Sequence, residues 1–213
     1  MGTSNQPAPG KDIPTEVKDN DLVSRRRRQI VDAAVHLFIR KGFHKTTTRE
    51  IAKAAGFSIG TLYEYVTSKE DVLYLVCQAI HSEMEQRLKQ RLKHGINGAR
   101  DLEAAIGVFF TVCDQMSDHI LLIYQETKSL PAESRRFVLE HELRITGVFK
   151  ELLTRGVGDF SLRPLSPPEI ELVAHNILVV GHMWAFRRWA LASGFSLEQY
   201  IALQSDYLLG ELT

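Results

Sequence analysis

Apolar residues along this chain recur three and four positions apart, the spacing of one helix face, and no stretch alternates apolar and polar as a half-buried strand would. The pattern predicts helices over about Ser68 to Lys93, Arg100 to Ser117, Asp118 to Leu130, Pro131 to Arg155, Ser166 to Ala192 and Ser196 to Leu212. Local chemistry marks their ends. Ser68 with Asp71, Ser166 with Pro167 and Glu169, and Ser196 with Gln199 read as N-terminal caps. Gly95 and Gly98 close the first of these helices, and Gly156, Gly158, Pro164, Pro167 and Pro168 bracket one substantial loop. Residues 1–20, with Pro7, Pro9, Gly10 and Pro14, have no periodic pattern and are expected to be a mostly disordered tail. The fold class is all-α, and 213 residues suffice for a small domain over 21–68 and a larger helical one over 69–213.

The segment from Thr46 to Asp71, TTTREIAKAAGFSIGTLYEYVTSKED, predicts two short helices about a glycine turn. Thr47 and Glu50 form a capping box, followed by Ile51, Ala54 and Ala55 at helical spacing. Gly56 suits a left-handed turn, and Ser58 offers an N-cap oxygen to a second helix over about Ile59 to Tyr65. Leu62 faces inward toward Ile51 and Ala55, which leaves Ile59, Gly60, Thr61, Tyr63 and Glu64 toward solvent. This is the layout of a helix-turn-helix, in which the second helix enters the major groove of DNA. On spacing alone, the solvated surface of an ordinary helical bundle reads the same way.

Charge separates the two readings. The whole chain balances 26 basic residues against 26 acidic ones, yet Leu22 to Glu70 holds ten basic and four acidic groups, a net of +6, and the remainder carries −6. A basic head on an acidic body suits phosphate binding at one end. Arg25 and Arg26, in the run Arg25 to Arg28, and Thr47 at the helix start join the candidate DNA contacts; the run also reads as a solvated helix start.

Residues 25–75 resemble the N-terminal domain of the tetracycline-repressor (TetR) family of bacterial transcription regulators, through RRRRQIVDAAVHLFIRKGF, TTTREIAKAAGFSIGTLYEYVTSKEDVL and the distance between them. The resemblance implies three helices packed on the start of a long fourth, with the second and third reading DNA. It places phosphate contacts at Thr48, Ser58, Tyr63, Tyr65 and Lys69 and groove contacts near Ile59, Gly60 and Thr61. Val66 departs from the family's more usual Phe and leaves no DNA-facing group in doubt.

The body offers further candidates. The middle of the Ser166 to Ala192 helix, LVAHNILVVGHMWAF, is apolar nearly all round and needs partners on several sides. One face can pack on its own chain and the opposite one on a second copy, with Gly181 and Ala185 permitting close approach across a two-fold interface; the alternative is a central helix of a monomeric bundle. The resemblance implies the dimer. Polar groups within apolar helices are candidates for an effector pocket: Tyr124, His141, Arg144, His175, Asn176 and His182, walled by Phe109, Phe110, Met116, Phe149, Met183 and Trp184. Taken singly, each reads as core or interface.

Other function classes have little support. His81 and Glu85 lie one helical turn apart, with no HExxH or second cluster to make a metal site, and no phosphate-cradling glycine loop occurs. Cys77 and Cys113 fall in separate predicted helices and read as buried small hydrophobes. No apolar run is long enough to span a membrane and no signal-peptide core begins the chain, which predicts a cytoplasmic protein.

The expectation is therefore a homodimeric regulator without cofactor, most simply a repressor on a palindromic operator, released by a small apolar or amphipathic effector. The stretch GHMWAFRRWALASGFSLEQYI loosely resembles family members that sense acyl chains or acyl-coenzyme A, with Arg187 and Arg188 as candidates for an anionic head group. The rival readings are an effector-independent architectural or nucleoid-associated protein of the same fold and, more remotely, an enzyme.

Overall fold

The computed structural model describes residues 13–91 and 97–212. Among them are nine α-helices, one 3-10 turn and no strand: α1 (Asn20–Lys41), α2 (Thr48–Ala54), α3 (Ile59–Tyr63), α4 (Lys69–Arg91), α5 (Gly98–Gln115), α6 (Ser117–Glu126), the turn Thr127–Ser129, α7 (Ala132–Gly158), α8 (Pro167–Leu191) and α9 (Leu197–Leu209). The capping signals hold at α2, α8 and α9, each opened by a reciprocal capping box. The expected end of α4 at Lys93 lies outside the described residues. Gly98, expected to end a helix, instead opens α5, where the Asn97 side chain accepts from Arg100 N at 2.9 Å. The chain past Glu126 leaves the α-helix early, through the 3-10 turn to an extended Leu130.

The chain divides into two compact units: residues up to Ala79 with Glu126–Glu140, and Ile80–Gln125 with His141 onward. The division differs from the expected boundary at 68/69, because the first turns of α4 and the start of α7 pack with the first unit. That unit's core gathers Ile30, Ala34 and Phe38 of α1, Ile51 of α2, Leu62 of α3 and Val72, Leu73 and Val76 of α4, all essentially inaccessible. The expected tail over 1–20 is only partly described. Ile13 is 1% exposed, and Asp19 caps α1 by accepting from Leu22 N at 2.9 Å, so residues 13–19 belong to the packed unit. A single aliphatic side chain among prolines and acids has no periodicity to betray it.

In the second unit α5 is the central helix, packed on both α8 and α9. Phe109 and Phe110 of α5 lie beneath Gly181 of α8, and a Cβ added there would meet Phe109 Cε1 at 2.5 Å. Phe109 also meets Phe149 of α7 edge-on at 5.4 Å between ring centres. Trp184 donates to Asp114 at 2.8 Å and lies tilted, at 4.9 Å between ring centres, against Tyr200 of α9, whose hydroxyl donates to Val180 O at 2.6 Å. At the other end of α5, Gly98 lies against the Gly156 backbone, and Asp159 and Ser161 accept from Gly98 N and Ala99 N at 2.6 and 2.9 Å.

This packing corrects the interface expected at Gly181 and Ala185. Both are buried and face their own chain's interior, because α8 needs its one glycine where it meets two phenylalanines. The face of α8 turned away from Gly181 carries Leu172, Val179, Met183 and Ala190, of which Leu172 and Val179 are 62% and 60% exposed. Cys77 and Cys113 are buried thiols, and burial pushes the Cys77 thiol up to about 12. Among the described residues no single helix is long and apolar enough to cross a membrane. Gly181→Ala should lower the unfolding free energy by about 1–3 kcal/mol through overpacking; urea melts of the variant beside wild type measure the difference.

Candidate nucleic-acid interface and effector cavity

The start of α2 is built by hydrogen bonds. Thr47 Oγ1 accepts from Glu50 N at 3.3 Å, and Glu50 Oε2 accepts from Thr47 N and from the Thr47 hydroxyl at 2.9 and 2.8 Å. With the Lys41 ammonium also on it, the Glu50 carboxyl is held down at about 2. Gly56, at φ +76°, makes the turn. Ser58 Oγ then accepts from Thr61 N at 3.0 Å and opens α3, which ends at Tyr63 rather than Tyr65.

The short helix is displayed outward. Ile59 and Tyr63 are 38% and 49% exposed although both are large and apolar, and the Tyr63 hydroxyl lies 3.2 Å from that of Thr48. Gly60 faces open space: a Cβ there would find nothing nearer than Ser58 Oγ at 3.7 Å. Thr61 shares its hydroxyl with Ser58 at 3.0 Å and remains partly exposed. Arg25 is exposed, and Arg26 lies over the Phe57 ring at 5.1 Å while donating to Gln29 at 3.1 Å.

Two expected phosphate contacts sit differently. Tyr65 is 4% exposed and belongs to the core, because α3 ends before it and the chain turns inward. Lys69 Nζ donates to Phe43 O and Thr46 O at 3.0 and 3.1 Å, reaches toward His44 O at 3.5 Å, and lies 4.3 Å over the Phe43 ring. It therefore braces the α1–α2 loop, whose carbonyls have no helical partner. Sequence reading also missed a clamp. Arg27, apparently one more of four arginines, donates to Ile13 O at 2.6 Å and Tyr65 O at 3.0 Å, and the Thr15 hydroxyl donates to Glu64 O at 2.7 Å, so the chain before α1 is tied to the end of α3.

The second unit holds a small cavity of about 10 Å³, lined by His81 and Met84 of α4, Ile120, Ile123 and Tyr124 of α6, Glu142 and Ile145 of α7 and His182 of α8. That volume is about one water molecule. Tyr124 Oη donates to Glu142 Oε1 at 3.0 Å and lies 3.0 Å from His182 Nδ1. Burial, the first cause, together with the neighbouring Glu142 raises the Tyr124 phenol well above its ordinary value, and burial raises the Glu142 carboxyl. Burial, with a contribution from His81, lowers His182 to about 4, so its imidazole is neutral at pH 7. With the phenol hydrogen on Glu142, His182 Nδ1–H donates to the phenol oxygen.

Of the twelve effector-pocket candidates, the cavity takes Tyr124 and His182. Phe109, Phe110, Met116 and Phe149 are core, and Trp184 is satisfied by Asp114. His141 is buried with its ring 6.5 Å from that of His81, and Arg144 reaches its Nε2 at 3.4 Å. His175 pairs with Glu171 at 3.3 Å, and Asn176 is exposed on the outer side of α8. Of the two arginines considered for a head group, Arg188 binds Asp114 at 3.3 Å and Arg187 lies 5.5 Å over Trp189. Glu85 is engaged by Lys89 at 2.6 Å while His81 lines the cavity, so the two do not form a metal pair. Glu142 was missed, though it carried a signal: it stands in the apolar series Val138, Ile145 and Phe149 of α7, where a charge is out of place.

Two outcomes follow. Lys69→Ala should lower the stability of the first unit by about 1–3 kcal/mol, through the carbonyl bonds it loses, and leave the salt dependence of DNA binding unchanged; urea melts and salt titrations measure both. Between pH 6.5 and about 4 the unfolded chain takes up a proton that buried His182 refuses. Unfolding free energy should therefore fall by ~3 kcal/mol as pH is lowered through that window, and His182→Gln should remove this part of the slope in melts recorded against pH.

Residues 30–74 match the family model described as bacterial regulatory proteins, tetR family. The HTH-type transcriptional regulator HbdR of Aromatoleum sp. (strain CIB) is 30% identical over 189 residues, covering 89% of this chain and 81% of the relative. The fold is similar to that of AibR in complex with isovaleryl coenzyme A and operator DNA, with TM-score 0.70, 20% identity and coverage of 85% and 97%. It is similar also to FadR from Bacillus subtilis in complex with stearoyl-CoA, with TM-score 0.69, 21% identity and coverage of 86% and 95%. With the helix-turn-helix in place and a relative of this identity spanning most of both chains, the chain belongs to the TetR family of bacterial regulatory proteins, DNA-binding transcriptional regulators rather than enzymes.

Proposed function

We propose that the chain is a homodimeric repressor that occupies a palindromic operator in the cytoplasm and leaves it when a small apolar or amphipathic effector, of acyl-chain or acyl-coenzyme A type, binds the second unit. The observation that carries the DNA-reading part is the outward display of α3: two large apolar side chains and a bare glycine face solvent on a helix held at both ends. Ile59, Gly60 and Thr61 read bases, and Thr48, Ser58 and Tyr63, with Arg25 and Arg26, hold phosphates. The two copies pair through the outer apolar face of α8 and the exposed Leu203 and Tyr207 of α9, not through Gly181.

Coupling runs along α4. Its first residue, Lys69, braces the α1–α2 loop, and its later residues His81 and Met84 line the cavity. An effector larger than water must part the helices around that cavity, so it favours a second arrangement in which α4 shifts its N-terminal turn. DNA and effector then oppose one another reciprocally. The acyl-type effector is supported by the apolar wall of Met84, Ile120, Ile123 and Ile145 and by the ligands named for AibR and FadR.

The smallness of the cavity also favours the second reading, an effector-independent architectural protein. Operator selection from random sequence, followed by anisotropy titrations with acyl-coenzyme A of graded chain length, separates the two. Release of the selected operator at some chain length supports the regulator; absence of sequence preference and of release supports the architectural protein. Thr61→Ala should narrow the ratio of operator to random-DNA affinity by roughly 1–3 kcal/mol at one base position in each half-site. Val179→Glu should give a folded monomer by sedimentation that loses tight operator binding, since each half-site alone offers few contacts.

A further inference from the structure

Tyr124 occupies its position oddly. Its ring is 45% exposed on α6, yet its hydroxyl end reaches inward to His182, which is 4% exposed, and to Glu142. The ring stands edge-on to both His182 and Phe186, at 5.4 and 4.7 Å, and so forms the wall between the cavity and solvent. A phenol bridging a half-buried carboxyl and a buried imidazole at 3.0 Å on each side is a plug that completes both groups. Any molecule that displaces it must make the same two bonds or leave Glu142 and His182 unsatisfied.

We propose, on the reading that this cavity takes the effector, that the effector's buried end is a neutral apolar group bearing a hydroxyl, which replaces the Tyr124 phenol between Glu142 and His182. A hydroxyl both donates and accepts through one oxygen, as the Tyr124 phenol does. It serves when Glu142 accepts and His182 donates, and equally when the two roles are exchanged. A carboxylate or phosphate is repelled by Glu142, an ammonium has nothing to accept from His182, and a carbonyl or ether has nothing to donate. The apolar neighbours Met84, Ile120 and Ile145 suit a hydrocarbon or ring attached to that hydroxyl, and Met84 is the side chain most able to move aside.

The test uses 4-fluorophenol and 4-fluoroanisole, which differ by one methyl group on oxygen, read by fluorine NMR against the full-length protein. Tyr124→Ala leaves a hole of the phenol's own shape and should bind 4-fluorophenol at least roughly tenfold tighter than 4-fluoroanisole. Wild type, with its own phenol competing, should bind 4-fluorophenol more weakly than the variant does. Adding Glu142→Ala should erase the preference. Should Tyr124→Ala fail to fold by circular dichroism, Tyr124→Phe replaces it and should tighten 4-fluorophenol several-fold over wild type without changing 4-fluoroanisole. Equal binding of the two probes, no binding of either, or a preference that survives Glu142→Ala overturns the proposal. Operator titrations in parallel keep the two readings apart. Selective phenol binding that leaves operator affinity unchanged supports the hydroxyl site and overturns its effector role; acyl-coenzyme A release of the operator with no phenol preference overturns the hydroxyl site alone.

Discussion

The close approach of α8 to α5, possible because residue 181 has no side chain, sets the geometry of the body. Gly181 rests on Phe109 and Phe110, where an added Cβ would collide with a ring. Once that residue points at α5, the helical period aims the next one, His182, at α6 and α7, and turns Leu172, Val179 and Met183 to the outside. One contact thus decides which side of an almost uniformly apolar helix is core, which reaches the cavity and which is left exposed. Aromatic and polar bonds around it, from Trp184 to Asp114 and from Tyr200 to Val180, hold the register.

The DNA-reading unit is organised by a division of labour among its polar side chains. Some satisfy the chain's own backbone: Thr47 and Ser58 at helix starts, Lys69 on loop carbonyls, Arg27 on Ile13 and Tyr65. Others point outward, Arg25 and the exposed face of α3 among them. Buried or constrained carbonyls without partners are costly, so the first set is what allows a five-residue helix to stand out from the surface at all.

The cavity is built from four helices, each giving few groups, and its polar members satisfy one another through Tyr124. A neutral His182 and a carboxyl raised by burial make it a poor host for net charge and a good one for a hydroxyl.

Much of the fold was legible along the chain, because capping, helical periodicity and the glycine turn at Gly56 act between residues a few positions apart. The all-α class, the starts of α2, α3, α8 and α9, and the outward side of α3 are decided at that range. What the tertiary structure alone decided depends on residues brought together from far along the chain. Lys69 and Arg27 look like two more members of a basic surface until loop carbonyls and the chain before α1 fold onto them. Gly181 and Ala185 look like a contact for a second copy until Phe109 and Phe110 arrive beneath. His81, Tyr124, Glu142 and His182 are four isolated polar residues on four helices, and only their convergence makes a site. Local sequence determines which backbone groups a helix must satisfy, whereas the direction in which a side chain is needed depends on what the rest of the chain packs against it.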